Sequence, residues 1–144
     1  MGGIYGISKA AKANEEGNYE LAIEEATKAA ALDGEDPEPP FERAFALSQL
    51  ARYAEAVEAI ERAIQLDAEE EMLDDTTVDD AYFSALLGDA KALAKQSPQA
   101  GAERLARYAE ILPEGEHVKD AVEWGKRLTG ELKTTDIVKA RLED

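Results

Sequence analysis

The side chains best equipped for chemistry in this sequence are its one histidine and its clustered carboxylates. His117 stands just after Gly115-Glu116. One imidazole with no cysteine anywhere builds no zinc cluster, and no nearby serine and aspartate complete a nucleophilic triad. We therefore read His117 as an exposed residue at a helix start. Glu69-Glu70-Glu71, Asp74-Asp75 and Asp79-Asp80 supply the hard oxygens that calcium prefers. The alternating Asp-x-Asp-x-Asp-Gly loop is missing, and Asp79 and Asp80 have a simpler task at a positive helix N-terminus. Nothing fixes a separation between two carboxylates of the kind glycoside hydrolysis needs. No Gly-x-x-x-x-Gly-Lys or Gly-x-Gly-x-x-Gly loop cradles a phosphate. The expectation is no catalytic residue, no metal and no cofactor: this is not an enzyme.

Composition points the same way. Among 144 residues, 44% are hydrophobic and only 6% aromatic, with alanine supplying much of the apolar share. Alanine loses no rotamer entropy in a helix and lets helices approach closely, so the expected class is all-α. A net charge of −16 opposes contact with nucleic acid and with anionic membranes, both of which reward cationic side chains. It favours solubility and, electrostatically, a basic partner. No apolar run approaches the roughly 20 residues of a membrane span. The first residues lack the charged and long apolar segments of a signal peptide, so a cytoplasmic location is expected.

The elements that must position any site emerge when the chain is laid against itself. Residues 17–33 shifted by 34 fall on residues 51–67. Tyr19/Tyr53, Ala22/Ala56, Glu24/Glu58, Ala29/Ala63, Leu32/Leu66 and Asp33/Asp67 are then identical, and Ile23/Val57 and Lys28/Arg62 match in kind. Each stretch reads as a helix preceded by a shorter one, Ile7 to Glu16 and then Pro40 to Leu50, with Gly17-Asn18 breaking the first. Prolines are tolerated in a first helical turn, which places a start at Pro39 or Pro40. Thr77-Val78-Asp79-Asp80 reads as a capping box opening a third pair. Ser97-Pro98 begins its second helix, carrying Ala102, Leu105, Ala106, Ala109 and Leu112, after a turn about two residues longer than before. The segment 68–76 is an acidic insertion. Beyond Pro113, Val118, Ala121, Val122, Gly125 and Leu128 form one apolar face of a final helix. Gly130 ends it, and a short helical tail follows from Thr135.

The period and the pattern Tyr-x-x-Ala-Ile/Val-Glu…Ala-x-x-Leu-Asp resemble the second helix of the tetratricopeptide repeat. Ala10 and Ala44 take its small-residue position, and Leu87-Gly88-Asp89-Ala90 is similar to its first-helix core. The resemblance implies a short α-solenoid of about three antiparallel helix pairs, over residues 4–37, 38–71 and 77–113. Residues 114–144 then form the C-terminal capping helix and tail.

In this family the first helices of successive repeats line a concave groove. That implies an inner face of Ile4, Ile7, Ala11 and Asn14, then Phe41, Phe45, Ser48 and Gln49, then Tyr82, Ala85 and Asp89. Phe41, Phe45 and Tyr82 could equally be core. Members that grip the acidic C-terminus of heat-shock chaperones use lysine, asparagine and arginine, whereas the matching positions here are Ile7, Ala11, Glu42, Tyr82 and Leu86. A clamp for an acidic tail is not expected.

Thirteen of the 32 acids fall in two inter-repeat connections, 33–42 and 67–80. Glu35, Asp36, Glu38, Glu69, Glu70, Glu71, Asp74 and Asp75 are the expected acidic rim. The expected function is a protein–protein interaction module, an adaptor or scaffold holding a peptide or helix in the groove. An acidic chaperone or inhibitor masking a basic protein is the alternative. Ile4, Tyr5 and Ile7 leave an apolar end without a cap, from which a monomer or weak homodimer is expected.

Overall fold

The computed structural model describes residues 8–69 and 72–131, and all statements about structure refer to them. They form seven helices and no strand: α1 Lys9–Glu15, α2 Tyr19–Leu32, α3 Glu38–Gln49, α4 Tyr53–Leu66, α5 Asp75–Ala94, α6 Pro98–Ile111 and α7 Val118–Leu128. Ile4, Tyr5, Ile7, Glu70, Glu71 and the expected tail from Thr135 lie outside the described residues.

Local chemistry accounts for most boundaries. Ser8 opens α1 by accepting a hydrogen bond from the Ala11 amide (3.1 Å), and Ser97 opens α6 by accepting from Ala100 (3.2 Å). The helix α5 starts earlier than the sequence suggested. Asp74, not Thr77, caps it, accepting from the Thr77 amide (2.9 Å) and hydroxyl (2.7 Å). Aspartate outcompetes threonine for this task because its charge also meets the positive helix end. The turns that end α1 and α3 are superimposable in logic. Gly17 and Asn18 donate to Asn14 and Ala13 carbonyls, and Ala51 and Arg52 donate to Ser48 and Leu47 carbonyls. This is the paired-bond closure that needs a left-handed residue. Gly17 supplies it at φ +77°, and Ala51, 34 residues on, adopts φ +59° despite its Cβ. Gly130 closes α7 in the same way.

The chain packs as two compact units, divided within α5 after Ala85. In the first, α1 to α4 stack as antiparallel neighbours. Ala13, Ala22 and Ala46 meet at the contact of the first three helices, with Tyr19 and Ile23 packed against them. Methyl groups at that spot let the backbones approach. On α4 the buried stripe is Ala56, Val57, Ala59, Ile60 and Ala63. Ala22, Ala56 and Ala63 are fully buried, as the repeat register requires. Ala29 is only half-buried.

In the second unit, the stripe of α6 is Gly101, Leu105 and Tyr108. It is rotated from the expected one: Ala102, Ala109 and Leu112 are half-buried and Ala106 is exposed. The turn before α6 is three residues, the same as in the first two pairs, so no lengthening is found. Gly101 explains the rotation. A Cβ there would fall 2.6 Å from the Ala90 carbonyl oxygen and 2.9 Å from the Ala94 methyl, so the helices cross at a distance only glycine permits. The final helix α7 packs on α6 through Ala121 and Gly125, the latter facing Ala102. Val122 points outward at 50% exposure, so the covering face is narrower than expected.

Candidate partner-binding surface

The first helices of the first two repeats, α1 and α3, lie side by side. On α3, Phe41 and Ser48 are half-buried, while Phe45 and Gln49 are exposed. Phe45 stands edge-on to Tyr19, with ring centroids 6.3 Å apart at 63°, which holds it in place while leaving 38% of it open. Ala11 on α1 is half-buried beside them. This is an apolar strip with a polar end, of the kind a peptide or helix could cover.

Asn14 links the two helices. Its side-chain Nδ2 donates to the Glu42 backbone oxygen (3.0 Å) and to Glu42 Oε1 (2.9 Å). Two acceptors on one residue fix the orientation of the amide, leaving Asn14 Oδ1 buried with no donor. Burial pushes the Glu42 carboxyl above the usual glutamate range; the Asn14 bond opposes that shift, and the charges of Glu38 and Glu15 reinforce it. Glu42 was singled out in the sequence only as a mismatch to a cationic clamp. Its pairing with Asn14 is a contact across 28 residues that no local pattern signals.

Tyr82 does not line a groove. It is fully buried, and its hydroxyl donates to Glu61 Oε2 (2.6 Å). Ala85 is buried with it. The match by spacing assumes a longer turn before α6, and with a three-residue turn these positions of α5 face inward. Asp89 is also buried, with its Oδ2 3.2 Å from Arg104 Nε in a charge contact too bent to count as a hydrogen bond.

The acidic connections use part of their charge on their own turns. Asp33 and Asp36 accept from the amides of Glu35 (3.0 Å) and Glu38 (2.9 Å). Asp67 accepts from Met72 (3.1 Å) and Leu73 (3.0 Å) with its two oxygens. The Thr77 bonds hold the Asp74 carboxyl below its ordinary range. Of the expected rim, Glu35, Glu69, Asp74 and Asp75 are exposed, and Asp36 and Glu38 are half-buried.

An open cleft on α2, α3 and α4 was not foreseen. Ala26, Pro39, Ala59 and Leu66 give it an apolar wall, and Arg43 and Arg62 stand at its edge. In the second unit, Trp124 lies between Lys91 (4.4 Å from the ring centroid) and Arg127 (4.2 Å). His117 is half-buried rather than exposed. Its amide donates to the Tyr108 hydroxyl (3.0 Å), its ring meets that tyrosine edge-on, and its Nδ1 is 3.2 Å from Asp120 Oδ2. His117 is the N-cap residue of α7, but its imidazole accepts from no helix amide and instead meets the Asp120 side chain.

No protein-family model matches the chain. No curated protein matches it either. Among solved structures, it is similar to the second TPR domain of the human RPAP3 protein, determined by NMR in complex with the HSP70 peptide SGPTIEEVD. The TM-score is 0.55 at 22% identity, over 81% of this chain and 88% of that one. The chain has a tetratricopeptide-type fold: an all-α array of antiparallel helix pairs.

Proposed function

We propose that this protein is a non-catalytic interaction module, an adaptor or scaffold that holds a peptide or helix of another protein against α1 and α3. The observation that supports it best is the exposed Phe45, braced by Tyr19 and flanked by Phe41, Ser48 and Gln49 on the face where such folds receive ligands. Glu42 stands where a carboxylate clamp needs a neutral or cationic donor, which argues against an acidic tail like that bound by the RPAP3 domain. The net charge of −16 argues against nucleic acid and anionic membrane as ligands, and no described helix is long and apolar enough to cross a membrane. A cytoplasmic setting and a monomer or weak dimer complete the reading.

Replacing Phe45 with alanine tests it. Truncating an aromatic anchor in a contact typically costs 1 kcal/mol or more, roughly fivefold or greater in affinity. A partner captured equally by wild type and Phe45→Ala would refute the groove as the binding surface. The exposed acids of the two connections, Glu35, Glu69, Asp74 and Asp75, favour a second reading, an acidic chaperone or inhibitor of a basic protein. Salt separates the two, since screening over about 8 Å at physiological ionic strength weakens rim-driven binding steeply. Groove-driven binding persists.

A further inference from the structure

Resting on the groove reading, we infer that the Asn14–Glu42 junction takes the cationic head of a partner's lysine or arginine. Three observations converge there. Glu42 is a half-buried carboxylate on the strip between α1 and α3, and Asn14 Nδ2 occupies only its Oε1. Asn14 is 7% exposed, and its Oδ1 is an acceptor without a donor. A buried acceptor left unmade is costly, so such atoms call for a donor. Because both amide atoms share one carbon, that oxygen lies within a few ångströms of the Glu42 carboxylate.

The third observation is the sign of the surroundings. The charges bearing on Glu42 are Glu38 and Glu15, both acidic. The nearest arginine in sequence, Arg43, is turned away toward Glu55 (3.9 Å). Among the described residues, then, no positive charge is shown against this desolvated carboxylate, its two like charges and the idle acceptor. An ammonium or guanidinium supplies what is missing: donors for the free Glu42 oxygen, and positive charge within a few ångströms of the buried Asn14 Oδ1. An anionic or purely apolar group supplies neither. With Phe45 on the same helix, the preferred ligand is a basic residue next to an apolar one.

The test uses the full chain and blocked nonapeptides with leucines flanking a central lysine, arginine, glutamine or glutamate. Binding is read by calorimetry and by the side-chain amide resonances of Asn14. The lysine or arginine peptide should bind about tenfold tighter than the glutamine peptide, the usual scale for a charged hydrogen bond. The glutamate peptide should bind most weakly, and the Asn14 resonances should move. Glu42→Gln keeps an acceptor for Asn14, so the fold is retained while the charge is lost; the tenfold preference should fall to about twofold or less. Glu24→Gln removes the same charge from the exposed face of α2 and should leave the preference intact. An equal loss in Glu24→Gln would show a general field effect and overturn the assignment. So would an undiminished preference in Glu42→Gln, or no binding of the basic peptides. If the glutamine peptide binds as well as the lysine one and shifts Phe45 and Gln49, the cation site falls while the groove stands.

Discussion

Residues 17 and 51 are related by the repeat, close the same hydrogen-bonded turn, and differ by one methyl group. Gly17 lies at φ +77° and Ala51 at φ +59°, with matching pairs of bonds to the preceding helix. A Cβ at Gly17 would meet nothing within 4 Å, so the methyl group matters only to its own backbone. Holding an L-residue in the left-handed region costs about 1–2 kcal/mol. Glycine escapes that cost but gains about 0.4–1 kcal/mol of freedom in the unfolded chain. The difference leaves about 0.8 kcal/mol. Ala51→Gly should therefore stabilise the protein by about that amount, and Gly17→Ala should destabilise it equally. The double exchange should be close to neutral, since the two sites share no partner. Urea unfolding followed by helical circular dichroism reads all three variants against wild type. If Ala51→Gly lowers stability, or if the two single changes share a sign, the turn at residue 51 is not closed as described.

Gly101→Ala should lose about 1 kcal/mol, since an overpacking cost of about 2 kcal/mol (range about 1–3) outweighs the roughly 1 kcal/mol helix propensity gained; hydrogen exchange in α6 checks it, and unchanged protection would show that the helices do not cross so closely. Ala56→Leu, at a fully buried position, should cost about 1–3 kcal/mol, and an unaltered melting temperature would contradict the repeat register. Glu42 holds its proton more tightly when folded than when unfolded, so its contribution to stability is complete below the ordinary value of 4.5 and lost as pH rises through its raised value. Glu42→Gln should thus be at least as stable as wild type at pH 7, with the difference shrinking below pH 4.5 in a pH series of unfolding curves. Asp74 and Glu55 have the opposite sign, so acid should weaken the start of α5 and the Arg52–Glu55 pair as each carboxylate protonates.

Features set by local or periodic physics were legible in the sequence. Helical class follows from alanine content, and the two-helix unit from the 34-residue repeat. Helix ends follow from Gly17, Ser97 and Gly130, because caps and left-handed turns act within a few residues; the Ser8 cap emerged only in the structure. Burial of Ala22, Ala56 and Ala63 came with the register. Rotation about a helix axis did not. Tyr82 turned inward and Val122 outward, and the stripe of α6 moved to Gly101, Leu105 and Tyr108. Glycine carries no apolar signal and tyrosine a divided one, so their shared face is invisible to a hydrophobic pattern. The Asn14–Glu42 contact, the idle Asn14 oxygen and the cleft on α2, α3 and α4 depend on residues brought together from separate helices. Hydrogen-bond satisfaction and desolvation are properties of that three-dimensional neighbourhood, and only tertiary packing assigns them.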